Sequence, residues 1–280
     1  MFQFLVPDAI RKHWFEYQLI DDISDSVFEK IREGFKSQLT DKPLVSVNII
    51  AWNEESTILR NLSSLSSMKS AYPVEYIYVD NNSNDRTTEI IKKCGIEPLH
   101  EKIRSFGLAR QCAMENSRGK YILTGDADTV YPDTWVDAMV QPLINGEGLA
   151  SYGTYSFVPS AGKSRLILAL YEFFRDIVQA LRSINHPELV VVGMNFCFPR
   201  EEAMKVGFIR NNSRMEDGQM AFNLMKSGRI IRITRLTSRA WTGTRTVEKS
   251  GSLPSAVYVR VLKELKRIRI YFHRNTGLIL

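Results

Sequence analysis

The sequence predicts an α/β fold: a Rossmann-like, mostly parallel sheet flanked by helices. Three observations predict it. Apolar, β-branched runs alternate with helical patterns between residues 44 and 124, as strand–helix–strand units with right-handed crossovers do. Asn53, Asp80 and Asp126 each stand just past such a run, at the carboxyl ends of strands where ligands bind on these sheets. Two acidic clusters, Gly125-Asp126-Ala127-Asp128 and Glu216-Asp217, lie about 90 residues apart.

The elements follow in order. Ile23, Val27, Ile31 and Phe35 recur at i, i+4, i+8 and i+12, one helical stripe in a preface spanning 1–42. Asp41-Lys42-Pro43 breaks it. Residues 44–50 read as a buried strand. Asn53-Glu54-Glu55-Ser56 opens a helix with Ile58, Leu62 and Leu65 on one face, its acidic first turn suited to the helix dipole. Residues 74–79 are a second strand, ending in the turn formers of 80–85. A helix over 87–93 is closed by Gly95. A short third strand over 96–99, a helix over 106–117 and a strand over 120–124 complete the first half. Farther on, 151–158 reads as a strand and 164–182 as a strongly apolar helix, either core or the seat of an acceptor. Residues 189–199 are strand-like. Residues 216–226 form a helix capped by Gly228, 229–237 a strand, and 254–272 a basic amphipathic helix.

Bulk properties bound the function. With 280 residues, 44% hydrophobic and 24% charged, the chain has ample material for one large core. Cys94, Cys112 and Cys197 form neither a CxxC pair nor a zinc spacing, which fits a reduced, cytoplasmic setting. The first residues lack the basic and long apolar regions of a signal peptide, so none is expected, and no stretch approaches the roughly 18 apolar residues of a transmembrane helix. The net charge of +6 is concentrated at the end: residues 226–280 alone carry +11. That asymmetry marks either contact with phosphates or an anionic membrane surface, or a solvated helix face.

The acidic clusters carry the chemistry. Asp126 and Asp128 follow Tyr121-Ile122-Leu123, and a strand end with Asp-x-Asp suits a hard divalent cation that also grips phosphates. The alternative is a turn with Asp as its capping residue. Glu216-Asp217 supplies a general base or an acidic helix N-terminus. Together the clusters point to a nucleotide diphosphate. The four histidines show no i, i+4 pairing.

Five segments then resemble glycosyltransferase family 2 with its GT-A fold. They are residues 45–55, 78–87, 107–111 and 119–129, and Met215-Glu216-Asp217-Gly218. The likeness runs from about 43 to 245. The resemblance implies a nucleotide-binding half over 43–130 and an acceptor half over 131–245, with 1–42 and 246–280 outside it. It implies that Asn53 and Glu54 line the nucleotide pocket and that Asp80 accepts a hydrogen bond from the base. Asp126 would face the ribose and a metal-bound water, and Asp128 would ligate Mg2+ or Mn2+. Arg104 and Arg110 could touch donor phosphates, Arg110 equally being a solvated helix residue. Asp217 would be the general base of an inverting transfer, with Glu216 orienting it or binding acceptor. Arg245, like Arg239, stands in a Ser/Thr/Gly-rich segment able to close over the diphosphate. The histidine that many members place there as a metal ligand is missing. Gly193-Met194-Asn195-Phe196 either borders the acceptor or is a buried strand.

The partners so implied are a nucleotide-sugar donor and a saccharide or lipid-linked acceptor, without nucleic acid. Val257, Val261, Leu265, Ile268 and Phe272 form a stripe that can lie on the inner face of an anionic membrane or pack on the core. A nucleotidyltransferase is a rival reading, but Ala51-Trp52-Asn53-Glu54-Glu55 lacks a Gly-rich phosphate loop. The other rival is a non-catalytic nucleotide- or nucleic-acid-binding module.

Overall fold

The apolar run after Pro43 becomes β1 (Val45–Ala51), buried along its whole length. It is followed by β2 (Val74–Asp80), β3 (Leu99–His100) and β4 (Tyr121–Asp126), and these four strands run parallel. A computed structural model describes residues 5–17, 19–160, 164–209 and 215–245. The basic helix expected over 254–272 lies outside the described residues.

Two short strands come next in the chain, β5 (Thr129–Val130) and β6 (Ala150–Gly153). Then follow β7 (Tyr155–Val158), β8 (Phe196–Pro199), β9 (Ile230–Ile233) and β10 (Ala240–Gly243). The main sheet has the order β3-β2-β1-β4-β8-β6-β9, and β8 runs against its neighbours β4 and β6. A second sheet, β5-β10-β7, sits beside it. The single strand expected over 151–158 is thus two strands, parted at Thr154 and assigned to different sheets. Residues 189–199 are strand only from Phe196; Gly193–Asn195 is a 3-10 turn. The strand expected over 229–237 stops at Ile233.

Nine helices among the described residues cover the sheets: α1 (Asp8–Arg11), α2 (Asp25–Lys36), α3 (Ile58–Ser66), α4 (Thr87–Lys93), α5 (Phe106–Glu115), α6 (Trp135–Ile144), α7 (Arg165–Asn185), α8 (Arg200–Val206) and α9 (Glu216–Leu224). α3 begins at Ile58, not at Asn53, because the 53–57 segment is a turn whose Glu54 carbonyl accepts from the N–H groups of Thr57 and Ile58. Ile58, Leu62 and Leu65 are fully buried. Truncating such a leucine to alanine costs about 2–5 kcal/mol. The N-terminal α2 joins the same core: Phe28, Ile31 and Phe35 are buried in it, and the Phe35 ring meets Tyr76 edge-on at 5.0 Å.

Alternation along β1 separates its two faces. Val45, Val47, Ile49 and Ala51 enter the main core. Ser46 and Asn48 point the other way and are satisfied by Glu75 and Ser117. On that second face Ile50 and Val79 meet Ala109 and Ala113 of α5. The small alanines bring α5 close to the sheet, which places its next residue, Arg110, over the strand ends.

Candidate active site

Register sets the site. Ala51 pairs with Asp80 and Ile50 with Asp126, so β1, β2 and β4 end side by side. The loops after β1 and β2 are then stitched together. Asn53, held at φ +53°, donates its N–H to Ser83 Oγ (2.9 Å), and its Oδ1 accepts from the Asn84 N–H (2.9 Å). The Glu54 N–H donates to Thr87 Oγ1 (2.8 Å) and the Glu55 N–H to Asp85 (3.1 Å). This pair of loops walls a cleft of about 440 Å3, closed on the other side by the two acidic clusters.

The first cluster hangs from β4. The Tyr131 hydroxyl accepts from the Asp126 N–H (3.0 Å) and donates to the Met194 carbonyl (2.9 Å). Its ring stacks on Trp135 with centroids 3.8 Å apart, and Trp135 Nε1 donates to Asn195 Oδ1 (2.8 Å). A Cβ at position 125 would stand 2.7 Å from the Tyr131 oxygen, so glycine is what lets the tyrosine reach the strand. Asp128 sits one step on. Burial, then the charges of Glu54 and Asp126, push its carboxyl up to about 7, with Arg245 and the Thr129 hydroxyl pulling the other way. Arg245 lies 2.5 Å from Glu54 Oε1 and 3.5 Å from Asp128 Oδ2.

The second cluster heads α9 and converges on Arg110. The guanidinium, 3% exposed, lies 2.9 Å from Asp126, 3.0 Å from Asp217 and 3.7 Å from Glu216. Burial opposes its charge, but Asp217, Asp126 and Glu216 outweigh that and raise its pKa. Asp217 also accepts from the Gly193 backbone N–H. Burial lifts its carboxyl to about 7; Arg110 opposes this, while Glu216 and Asp126 add to it. Gly193 is indispensable to the packing, since a Cβ there would lie 2.1 Å from Arg110 and 2.2 Å from Asp217.

Of the residues singled out in the sequence, Asn53, Glu54, Asp126, Asp128, Glu216, Asp217 and Arg245 all line this cleft. Asp80 and Arg104 do not. Asp80 is buried behind Asn81, where its carboxylate accepts from the Ser83 N–H and lies 3.5 Å from His100. Arg104 stacks its guanidinium 3.2 Å over the ring of Trp52, and it is Trp52 that faces the cleft. Arg110 is no solvated helix residue but the ionic centre of the site. Charge alone on a helix did not reveal its direction; its position among Ala109 and Ala113 was the available signal. Gly193 likewise borders the Asp217 carboxylate in a turn, not a strand.

The cleft suits a divalent cation. Glu54, Asp126, Asp128, Glu216 and Asp217 face only Arg110 and Arg245 there, leaving an acidic surplus that would repel a diphosphate. Asp128, its ionised form disfavoured by burial and then by the charges of Glu54 and Asp126, is a carboxylate a cation would relieve. Among the described residues no three His, Cys, Asp or Glu side chains gather as a complete ligand cage. The arrangement therefore fits an ion held by one or two carboxylates with the remaining positions left to water and phosphate.

Comparison with known proteins gives the fold and the family. The mannosyltransferase PcManGT of Pyrobaculum calidifontis, solved with GDP-Man and Mn2+, superposes with a TM-score of 0.57 at 22% identity, over 87% of this chain and 73% of that one. Glucosyl-3-phosphoglycerate synthase of Mycobacterium tuberculosis, solved with Mn2+, UDP-glucose and phosphoglyceric acid, gives 0.54 at 16% identity, over 90% and 86%. S. aureus TarS 1–349 with UDP-GlcNAc gives 0.53 at 16%, over 84% and 68%. These likenesses establish the fold. No curated protein sequence matches the chain. The profile of Glycosyl transferase family 2 matches residues 46–207, which takes in β1 to β8 and the whole Asp-x-Asp strand end, and the chain belongs to that family.

Proposed function

We propose that the chain transfers a sugar from a nucleotide-diphosphate sugar to an acceptor hydroxyl with inversion at the anomeric carbon. One observation carries the reading: Arg110 ties Asp126 of the first acidic cluster to Asp217 of the second, so donor and base meet in one cleft. Solved relatives of this fold hold GDP-Man or UDP-glucose with Mn2+, and a UDP- or GDP-sugar is the donor class proposed here.

The residues divide the work. Asn53, Glu54 and Arg245 border the nucleotide, while Asp80 supports that wall from behind through Ser83, and Arg104 through Trp52. Asp128, with Asp126, would hold Mg2+ or Mn2+. Such an ion, when bound, neutralises charge on the diphosphate. Asp217 takes the proton of the acceptor hydroxyl as its oxygen attacks the anomeric carbon and the bond to the diphosphate breaks. Asp217 Oδ1 is buried beside Arg110. Glu216 and Gly193 keep that carboxylate in place. No second acid is required, because the diphosphate leaves as an anion. A saccharide or lipid-linked hydroxyl is the proposed acceptor.

A thermal-shift series with UDP, GDP, UDP-glucose and GDP-mannose, with and without Mn2+, tests the donor site. The wild type should be stabilised by a nucleotide only with the metal, Asp128→Ala should lose that response, and Asp217→Asn should keep it. An unchanged response in Asp128→Ala would refute the metal assignment. Metal-dependent release of nucleotide from the donor by Asp217→Asn at the wild-type rate would refute the base.

A further inference from the structure

α7 buries its carboxylates beside a short apolar seam of Leu168, Ala169 and Tyr171. Its only acidic residues, Glu172 and Asp176, are turned into the protein. Glu172 accepts from the Phe157 N–H (2.7 Å), Ser156 Oγ (2.8 Å) and both terminal nitrogens of Arg165 (2.8 Å each). Asp176 pairs with Arg175 (2.8 Å) and Arg239, and the Arg175 guanidinium stacks 3.9 Å over Tyr155. The opposite face carries the apolar stripe. Leu166, Leu170, Phe174, Ile177, Leu181 and Ile184 recur at helical spacing and are 43–73% exposed. Of the two alternatives for this helix, core or acceptor seat, the core reading holds only for Leu168, Ala169 and Tyr171, which are buried, while the longer apolar stripe faces out.

We infer that this face of α7 rests on an anionic lipid bilayer. A contiguous apolar strip of this length marks an interaction surface, and its surroundings choose the partner. Arg229 shares a pocket with Ser183 and Ile184 at the end of α7, and Arg232 donates to the Asp176 carbonyl. Lys226, Arg229 and Arg235 are exposed. No acidic residue occurs between Lys226 and Arg245. An apolar helical face with a cation beside its end and further exposed cations on the following segment lies in the headgroup plane of acidic membranes. No helix among the described residues is long and apolar enough to cross a membrane, so α7 lies on the bilayer surface. The surface does not depend on the transfer reading.

Vesicle co-sedimentation of the full chain tests it, using phosphatidylcholine vesicles with and without phosphatidylglycerol. The wild type should bind the anionic vesicles, less so at high salt. The triple variant Leu170→Glu, Phe174→Glu, Ile177→Glu should bind about tenfold less with an unchanged circular-dichroism spectrum and unchanged nucleotide-dependent thermal shift. Should that variant misfold, Arg229→Glu with Arg235→Glu must lower the preference for anionic over neutral vesicles several-fold. Equal binding by wild type and a folded triple variant overturns the inference, as does absence of wild-type binding. A lipid-independent dimer that the triple variant dissociates overturns it too, and would assign the face to a second copy.

Discussion

At Gly193 a single methyl group decides the geometry of the site. The Asp217 carboxylate and the Arg110 guanidinium both occupy the space a Cβ would fill, and neither can retreat, being ion-paired and buried. Gly193→Ala should therefore lower turnover by about 100-fold through displacement of the base, the scale expected for a misplacement of about 1 Å. Steady-state nucleotide release checks the loss. Asp217 also sets a pH dependence. Its carboxyl is raised to about 7, and only the ionised form takes a proton, so turnover should rise through pH 7 and level off above it. A rate that is flat from pH 5 to 8 would show that another group is the base.

At the scale of elements, the site depends on three junctions. Strand register brings the ends of β1, β2 and β4 level. α5 sits close on β1 and β2 because Ala109 and Ala113 face them, and that proximity aims Arg110 inward. Tyr131 locks the Asp-x-Asp turn to the Gly193–Asn195 turn through one hydroxyl. Tyr131→Phe leaves a backbone N–H and a carbonyl without this partner, which should cost about 1–3 kcal/mol. Urea denaturation measures it. The same variant should loosen Asp126 and Gly193 together, so the affinity for nucleotide with Mn2+ should fall with stability. Loss of stability alone would mean that the tyrosine is a packing residue only.

Over the whole molecule, the acidic surplus of the cleft couples stability to pH and to metal. Asp128 and Asp217 are each raised from the ordinary value of 3.8 to about 7. The folded state thus holds more protons than the unfolded chain between those values, and these two groups make stability fall as pH rises from about 4 to 7. Metal acts in the opposite sense, since it binds the ionised carboxylates. Mn2+ should raise the melting temperature strongly at pH 8 and weakly at pH 6, and a chelator should reverse it. Calorimetric melting at both values checks this; an equal shift at pH 6 and 8 would exclude Asp128 as a ligand.

Local patterning alone determined β1, β2, β4 and α4, because strand and helix periods are properties of neighbouring residues, and it marked Asp126 and Asp128 at the end of β4 and Glu216 and Asp217 at the head of a later helix. It could not decide which way an amphipathic helix turns. Composition marked α7 only as a strongly apolar helix, but the pairing of Glu172 with Ser156 and Phe157 and of Asp176 with Arg239 is a contact between separate segments, and it is this that sends the apolar stripe outward. Arg110, Gly193 and the division of 151–158 between two sheets depended in the same way on partners far along the chain. Those choices belong to tertiary structure, where a buried charge is held by the charges it meets.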